Sequence, residues 1–242
     1  MANAKAGPSR LHVESTGVSF KHTVDTITSF LEVVFHTILC IRNVYPATTF
    51  TRRRAHGVPV YQSRHPEVRG YLARVVAALS KELEKGTLRR VTLVIKSVAT
   101  GVPLERFILD AMYMGLESVQ GPQKDVKIVG APSPEGLSLL LRAFLTRLTA
   151  MDGQLSDITE ETTFTIIAET NDDLEPGSSD GASSPWAPAL QGDTLAPLVG
   201  HHAPLYSVRA IETGVIDLRM LVQECAVKHG VDDEDVAAAY VA

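Results

Sequence analysis

Side chains that could carry out chemistry are few and scattered in this 242-residue chain. The adjacent His201 and His202 could ligate a metal, but the polar loop around them favours solvent exposure. His65 precedes a proline, which favours a role at a helix start over catalysis. The acidic stretch 171–175 (NDDLE) lacks the ligand spacing of a calcium loop. Phosphate loops, nucleophile elbows, zinc-binding cysteine pairs and HExxH motifs are missing from the sequence, so we expect a non-enzyme without metal or cofactor.

Arginines offer a different chemistry, the recognition of phosphate. The run Arg52, Arg53 and Arg54 is the strongest candidate, and further arginines follow nearby in the sequence. A basic excess on one face is the usual sign of direct DNA binding, whereas this chain carries a net charge of −5. We therefore favour a solvated hairpin over a phosphate-contacting patch, and we expect DNA association through partners rather than by direct contact.

The negative charge is concentrated in one part of the chain. Ten Asp or Glu residues occur from Asp152 to Asp193, and neither Lys nor Arg occurs between Arg147 and Arg209. The rest of the chain is net basic as a result. From residue 171 to 200 the sequence is mostly Asp, Ser, Gly, Pro and Ala, and a loop of this length is usually functional or disordered.

The periodic segments predict the elements that must position any site. Apolar residues at helical spacing predict a buried helix from Phe20 that ends by Tyr45, because Pro46 disfavours helical geometry before it. A second helix is predicted from Pro66 to a stop at Gly86, and a third begins at the capping residue Ser133. Runs rich in β-branched and aromatic residues predict strands, at 58–61, 90–98, 104–112, 125–129, 163–170, 205–211 and 216–227.

The cysteines and the apolar runs indicate the cellular compartment of the protein. Cys40 and Cys225 are the two cysteines, and we expect free thiols in a reducing cytosolic or nuclear compartment. Uninterrupted runs of about 18 apolar residues are missing from the sequence, so we expect no membrane partner.

The stretch from Phe30 to Leu72 carries a family resemblance. It reads FLEVVFHTILCIRNVYP, a basic turn, and then VPVYQSRHPEVRGYL. This stretch resembles the HORMA-domain accessory subunits of the translesion DNA polymerase zeta, as does LLLRAFLTRLTAMD from Leu139 to Asp152. The resemblance implies an α+β HORMA domain, with three helices packed on a mainly antiparallel sheet and a C-terminal safety-belt segment. Together with the composition, it divides the chain into a flexible tail at 1–17, a HORMA core at 18–170, a belt region with the acidic loop at 171–227 and an acidic tail at 228–242. The two tails and the acidic loop have no counterpart in that family.

The resemblance also implies binding residues. In that family an aromatic cluster grips a Pro-containing peptide of the polymerase catalytic subunit, and the matching positions are Tyr45, Tyr71 and Trp186. Trp186 is notable by itself, because a single tryptophan in a polar segment should close onto an apolar surface. The alternative is that it pins the loop to the body of the protein, and the two roles are compatible.

Two further surfaces follow from the same resemblance. A surface for homodimers or heterodimers of HORMA domains is matched by Arg142, Arg147 and Asp152, although Arg142 could instead form a surface salt bridge. A surface for a scaffolding translesion polymerase is matched at Leu205. Arg219 and Leu221 stand where this family has glutamine and tyrosine, which puts that surface in doubt.

The predicted function is a non-catalytic adaptor that clamps a peptide of the polymerase zeta catalytic subunit and bridges to a second polymerase in DNA damage bypass. The alternative is a spindle-checkpoint type of HORMA adaptor with other client peptides. The first function predicts a nuclear location, with the cytoplasm as a second location.

Overall fold

Local sequence signals set the ends of the helices. The computed structural model describes residues 17–114, 122–171, 186–189, 204–225 and 228. Ser19 caps the first helix by accepting a hydrogen bond from the His22 amide at 3.2 Å, and Ser133 caps the third by accepting from the Gly136 amide at 3.1 Å. Gly86 closes the second helix with a positive φ of 74°. The helices are α1 (Phe20–Ile41), α2 (Pro66–Lys85) and α3 (Pro134–Met151).

The first helix lies at the centre of the core. By length and composition α1 could cross a membrane, but most of it is buried inside the protein. Phe30 and Ile38 are fully buried, and the helix packs against α2, α3 and the second strand. It is therefore the core helix of a folded domain, and its apolar character serves packing.

The main sheet has five antiparallel strands in the order β5-β3-β4-β7-β6. Val91, Leu93 and Phe107 point from the sheet into the core formed with the helices. Because every neighbouring pair is antiparallel, β5 and β6 run parallel to each other at opposite edges. The strands of this sheet are β3 (Leu88–Ser97), β4 (Pro103–Tyr113), β5 (Thr162–Thr170), β6 (Leu205–Ile211) and β7 (Ile216–Glu224).

A separate two-stranded hairpin contains the arginine run. It consists of β1 (Phe50–Ala55) and β2 (Val58–Ser63). Phe50 and Val60 are buried against the helical layer, so one side of the hairpin belongs to the core. The basic stretch before β2 is itself a strand.

The predicted α+β architecture is confirmed, with three α-helices on a mainly antiparallel sheet in the described residues. The strand predicted at 125–129 is wrong: Lys127 makes a single bridge with Ser19, and a short 3-10 helix precedes it at Pro122–Asp125. Of the predicted tails at 1–17 and 228–242 the structure describes only Gly17 and Lys228, and about half of the belt region at 171–227 lies outside the described residues, so these boundaries stay predictions.

Candidate functional site

The outer edge of β5 is a place where a partner strand could bind. On its inner side, β5 pairs with β3, and Leu93 of β3 lies opposite Ile166 of β5. Among the described strands none pairs with its outer side. An exposed strand edge presents unpaired backbone N–H and C=O groups that can bind an extended peptide.

An aromatic cluster lies beside this edge. Phe164 is on β5, and its ring contacts the rings of Tyr45 and Tyr71 edge to face, with centroids 6.2 Å and 5.7 Å apart. All three side chains are half-buried. The structure therefore brings together two of the three residues predicted for peptide binding, and adds Phe164 between them.

Tyr71 also contacts the backbone of the edge strand. Burial raises the pKa of its hydroxyl, while a backbone hydrogen bond at Ile166 and the charge of Arg74 lower it in part. Burial likewise raises the pKa of Tyr45. Both phenols are thus neutral hydrogen-bonding groups at physiological pH, and they lie beside the apolar ring of Phe164.

Trp186 lies in the connection between the two edges of the sheet. It is half-buried and packs against the core, as expected for an aromatic residue in a polar segment. Residues 171–204 join β5 to β6, and five strands place these edges roughly 19 Å apart. Trp186 therefore belongs to the segment that joins one edge strand of the sheet to the other.

The three residues predicted for a second partner share one face of the other sheet edge. On β7, Arg219 and Leu221 are two positions apart and point away from the buried Met220 and Val222. Leu205 on β6 lies opposite Gln223, the next residue of this face, and is 58% exposed. The structure thus brings Leu205, Arg219 and Leu221 together, with Gln223 as an additional member.

The residues predicted for dimerisation are separated into two environments. Arg142 and Arg147 are exposed on α3. The Arg142 Nε donates a hydrogen bond to the His56 carbonyl oxygen at 2.8 Å, so it contacts the hairpin turn rather than a carboxylate. Asp152 follows the end of α3 and accepts a hydrogen bond from Arg42 at 2.6 Å.

A buried ionic network fastens the β7 side of the sheet. Glu105 and Glu224 face each other across β4 and β7, and both are almost inaccessible to solvent. Two buried carboxylates in this arrangement repel unless cations compensate them. Arg42 binds Glu105 through two hydrogen bonds of 2.9 and 2.6 Å, and Lys228 contacts both carboxylates. Burial lowers the pKa of Arg42, but Glu105 and Asp152 raise it overall.

Chemically reactive groups are few in the described part of the chain. A cluster of three or more potential metal ligands does not occur there. Cys40 and Cys225 are free and buried, and burial raises the pKa of each thiol to about 11. Both thiols are therefore protonated and unreactive at physiological pH.

The fold belongs to a known class. The HORMA domain family matches residues 23–175, and the chain is a member of this family.

Named relatives come from two functional settings. The chain is 27% identical over 207 residues to the "Mitotic spindle assembly checkpoint protein MAD2B" of Gallus gallus, covering 84% of this chain and 92% of the relative. The human protein of that name is also 27% identical, with the same coverage. The "DNA polymerase zeta processivity subunit" of Arabidopsis thaliana is 40% identical over 83 residues, covering 34% of this chain and 38% of the relative. The resemblance to polymerase zeta accessory subunits is confirmed.

Solved structures agree on the fold. A chain of the "Crystal Structure of Mitotic Checkpoint Complex" superposes with a TM-score of 0.67 at 20% identity, covering 84% of this chain and 98% of that one. The "Structure of C. elegans HTP-1 bound to HIM-3 closure motif" gives a TM-score of 0.67 at 14% identity, covering 86% and 92%.

Phe164 and Gln223 are candidate site residues that the sequence reasoning missed. Phe164 appears in the sequence as one residue of an ordinary strand, and only its position at the sheet edge joins it to Tyr45 and Tyr71. Gln223 could have been found from the alternation of the strand, because it follows Arg219 and Leu221 at a period of two.

Proposed function

We propose that this protein is a non-catalytic HORMA adaptor that clamps an extended peptide of a larger partner in translesion DNA synthesis. The observation that carries the proposal is the outer edge of β5, which is unpaired by any described strand and lies beside an aromatic cluster. The backbone of the peptide would extend the sheet at β5. Its side chains would contact Tyr45, Tyr71 and Phe164.

The cluster suits a peptide that contains proline. Proline rings pack well on aromatic faces, and extended proline segments enter binding with little conformational entropy to lose. Trp186 belongs to the connection that joins the two sheet edges. In the proposed complex this connection crosses the bound peptide as a belt, and it slows dissociation because the belt must rearrange before the peptide leaves.

The partner that we propose is the catalytic subunit of DNA polymerase zeta, in the nucleus. A relative named as a polymerase zeta processivity subunit supports this choice. The surface of Leu205, Arg219 and Leu221 would bind a second, scaffolding polymerase. It is exposed on the side of the sheet away from the core, so both partners could bind at once.

A spindle-checkpoint adaptor is the second candidate function. It is supported by the relatives named as mitotic spindle assembly checkpoint proteins. The same β5 edge would then bind a different client peptide. The two candidates share a mechanism and differ in the peptide that is recognised.

A fluorescence titration tests the peptide clamp and distinguishes the two candidate functions. A labelled Pro-containing peptide of the polymerase catalytic subunit is titrated with wild type and with Tyr71→Ala/Trp186→Ala. The double substitution should weaken binding by at least about 2 kcal/mol, or roughly 30-fold, because it removes two aromatic anchors. Equal affinity of the two proteins would remove the clamp. Absence of binding by folded wild type would favour another client.

Dimerisation through α3 is a further proposal for this family member. Arg142→Ala should shift any dimer toward monomer in sedimentation velocity while the circular dichroism spectrum is retained. Because Arg142 also holds the hairpin turn, Arg147→Ala is the companion variant that leaves this hydrogen bond intact. Wild-type sedimentation of both variants would exclude the surface.

A further inference from the structure

The β1–β2 hairpin displays three consecutive arginines to solvent. Arg52, Arg53 and Arg54 are all exposed. Side chains alternate along a strand, so Arg52 and Arg54 point to one side of the hairpin and Arg53 to the other. None of the three makes an ion pair with a carboxylate in the described part of the chain.

The hairpin is held firmly at its base. The Ser63 amide donates a hydrogen bond to the buried His36 Nδ1 at 3.3 Å. The Arg64 amide donates to the Thr49 carbonyl at 2.8 Å. The apolar side chains of Phe50 and Val60 are buried, so the base of the hairpin is part of the core.

The tip of the hairpin is fixed as well. His56 and Gly57 form the turn with φ values of 49° and 81°, the left-handed geometry of a tight two-residue hairpin loop. The His56 Nδ1 lies 3.0 Å from the Ser138 hydroxyl. A side chain at Gly57 would meet the Arg142 guanidinium at 2.2 Å, so Arg142 lies directly against the turn.

Four arginines therefore form an arginine surface around one anchored hairpin: Arg52 and Arg54 on one side, Arg53 on the other, and Arg142 against the turn. Keeping like charges together without carboxylates is unfavourable, and the energy is recovered when a polyanion binds. We propose that this arginine surface binds the phosphate backbone of a nucleic acid directly. The sequence alone favoured a solvated hairpin; the anchored tip and the contribution of Arg142 are what the structure adds.

The chemistry of the surface favours a nucleic acid over an acidic protein. Guanidinium groups match phosphate oxygens in a two-pronged geometry and keep their charge at every physiological pH. Protein interfaces usually need exposed apolar or aromatic anchors at their centre, whereas Phe50 and Val60 are buried here. A two-stranded ribbon is also narrow enough to enter the groove of a duplex.

The inference does not depend on the proposed peptide clamp, because it uses another part of the molecule. Fluorescein-labelled single-stranded and duplex DNA 30-mers are titrated by anisotropy at several salt concentrations. Wild type should bind both probes with strong salt dependence. Arg52→Gln/Arg53→Gln/Arg54→Gln should weaken binding at least about tenfold at low salt. On duplex DNA it should reduce the log–log salt slope by roughly 2 to 3, because each lost phosphate contact contributes about 0.9.

The matched control is Lys21→Gln/Lys81→Gln/Arg209→Gln, which removes the same charge from exposed positions elsewhere. It should change the affinity less than twofold. If both triple variants lost the same DNA affinity, binding would depend only on net charge, and the proposal would be overturned. Absence of binding by wild type would overturn it too. So would a dimer-to-monomer shift of the hairpin variant with unchanged DNA affinity, because the surface would then serve a second copy of the chain.

Discussion

The two edges of the main sheet differ in the side chains that surround them. At one edge, β5 has a backbone side that no described strand covers and an aromatic cluster around Phe164. Next to the other edge, the β6–β7 hairpin is fastened to β4 through the buried carboxylates Glu105 and Glu224 and their cations. The outer side of β6 is likewise unpaired by any described strand, so the difference lies in the side chains: aromatic rings lie beside β5, and a buried ionic network lies beside the β6–β7 hairpin.

This difference assigns binding and stability to different parts of one sheet. A strand edge that accepts a peptide must keep unpaired backbone groups, which also makes it prone to aggregation. The β6–β7 hairpin ends the connection that carries Trp186. The ionic network at its end therefore fixes one end of the proposed belt, while β5 fixes the other.

Removing one buried carboxylate tests the ionic network beside the β6–β7 hairpin and should give the largest loss of unfolding free energy. Glu105→Gln leaves Arg42 short of its two-pronged partner and Lys228 short of one carboxylate. Breaking a buried pair from one side typically costs about 3–5 kcal/mol of unfolding free energy, and urea unfolding measures it. Glu169→Gln is the control at the open edge, because Glu169 on β5 pairs with the exposed Arg89. It should cost less than about 1 kcal/mol, and equal losses would contradict the comparison.

Lowering the pH tests whether the free energy of unfolding also depends on a buried histidine of α1, which lies away from both sheet edges. Burial and the charge of Arg69 lower the pKa of His36 from 6.5 to about 4, although Glu32 lies 3.9 Å away. Between these values the unfolded chain binds more protons than the folded one. Stability is therefore complete above pH 6.5 and falls as the pH drops, by about 2 kcal/mol at pH 5.

Urea unfolding at pH 7.5 and at pH 5 measures this loss. In His36→Gln, which cannot titrate, the difference between the two pH values should shrink by about 2 kcal/mol. A pH dependence identical to wild type would assign the acid sensitivity to other groups.

Phe164→Leu tests the open edge with a smaller effect. It keeps an apolar side chain but loses both edge-to-face contacts that support Tyr45 and Tyr71. Such contacts contribute about 0.5–1.5 kcal/mol each, so peptide affinity should fall roughly tenfold. Tyr206→Leu is the matched control on β6, where peptide affinity should stay unchanged. If Tyr206→Leu lost more peptide affinity than Phe164→Leu, the peptide would bind at the β6 edge, which would contradict the proposed site.

The sequence predicted most of the local structure because local signals specify it. Apolar spacing marked α1, Ser133 marked the start of α3, and Gly86 marked the end of α2. The strand predicted at 125–129 failed because a β-rich composition does not supply a pairing partner.

The site was only partly predictable, because its contacts join distant segments. Tyr45 and Tyr71 followed from the family resemblance, whereas Phe164 joins them only through the fold. The hydrogen bond between Arg142 and His56 spans 86 positions, and the Arg42–Glu105 pair spans 63. Such contacts leave no pattern in a single sequence.

Amide hydrogen exchange with and without the Pro-containing peptide tests the central claim most directly. In the free protein, the amides of β5 that point away from β3 should exchange fast, because no described strand accepts from them; the exception is Ile166, whose backbone hydrogen-bonds Tyr71. Binding of the peptide should slow exchange in residues 162–170 and leave residues 205–211 of β6 unchanged. Protection in β6 with none in β5 would contradict the account, because the peptide would then extend the opposite edge of the sheet.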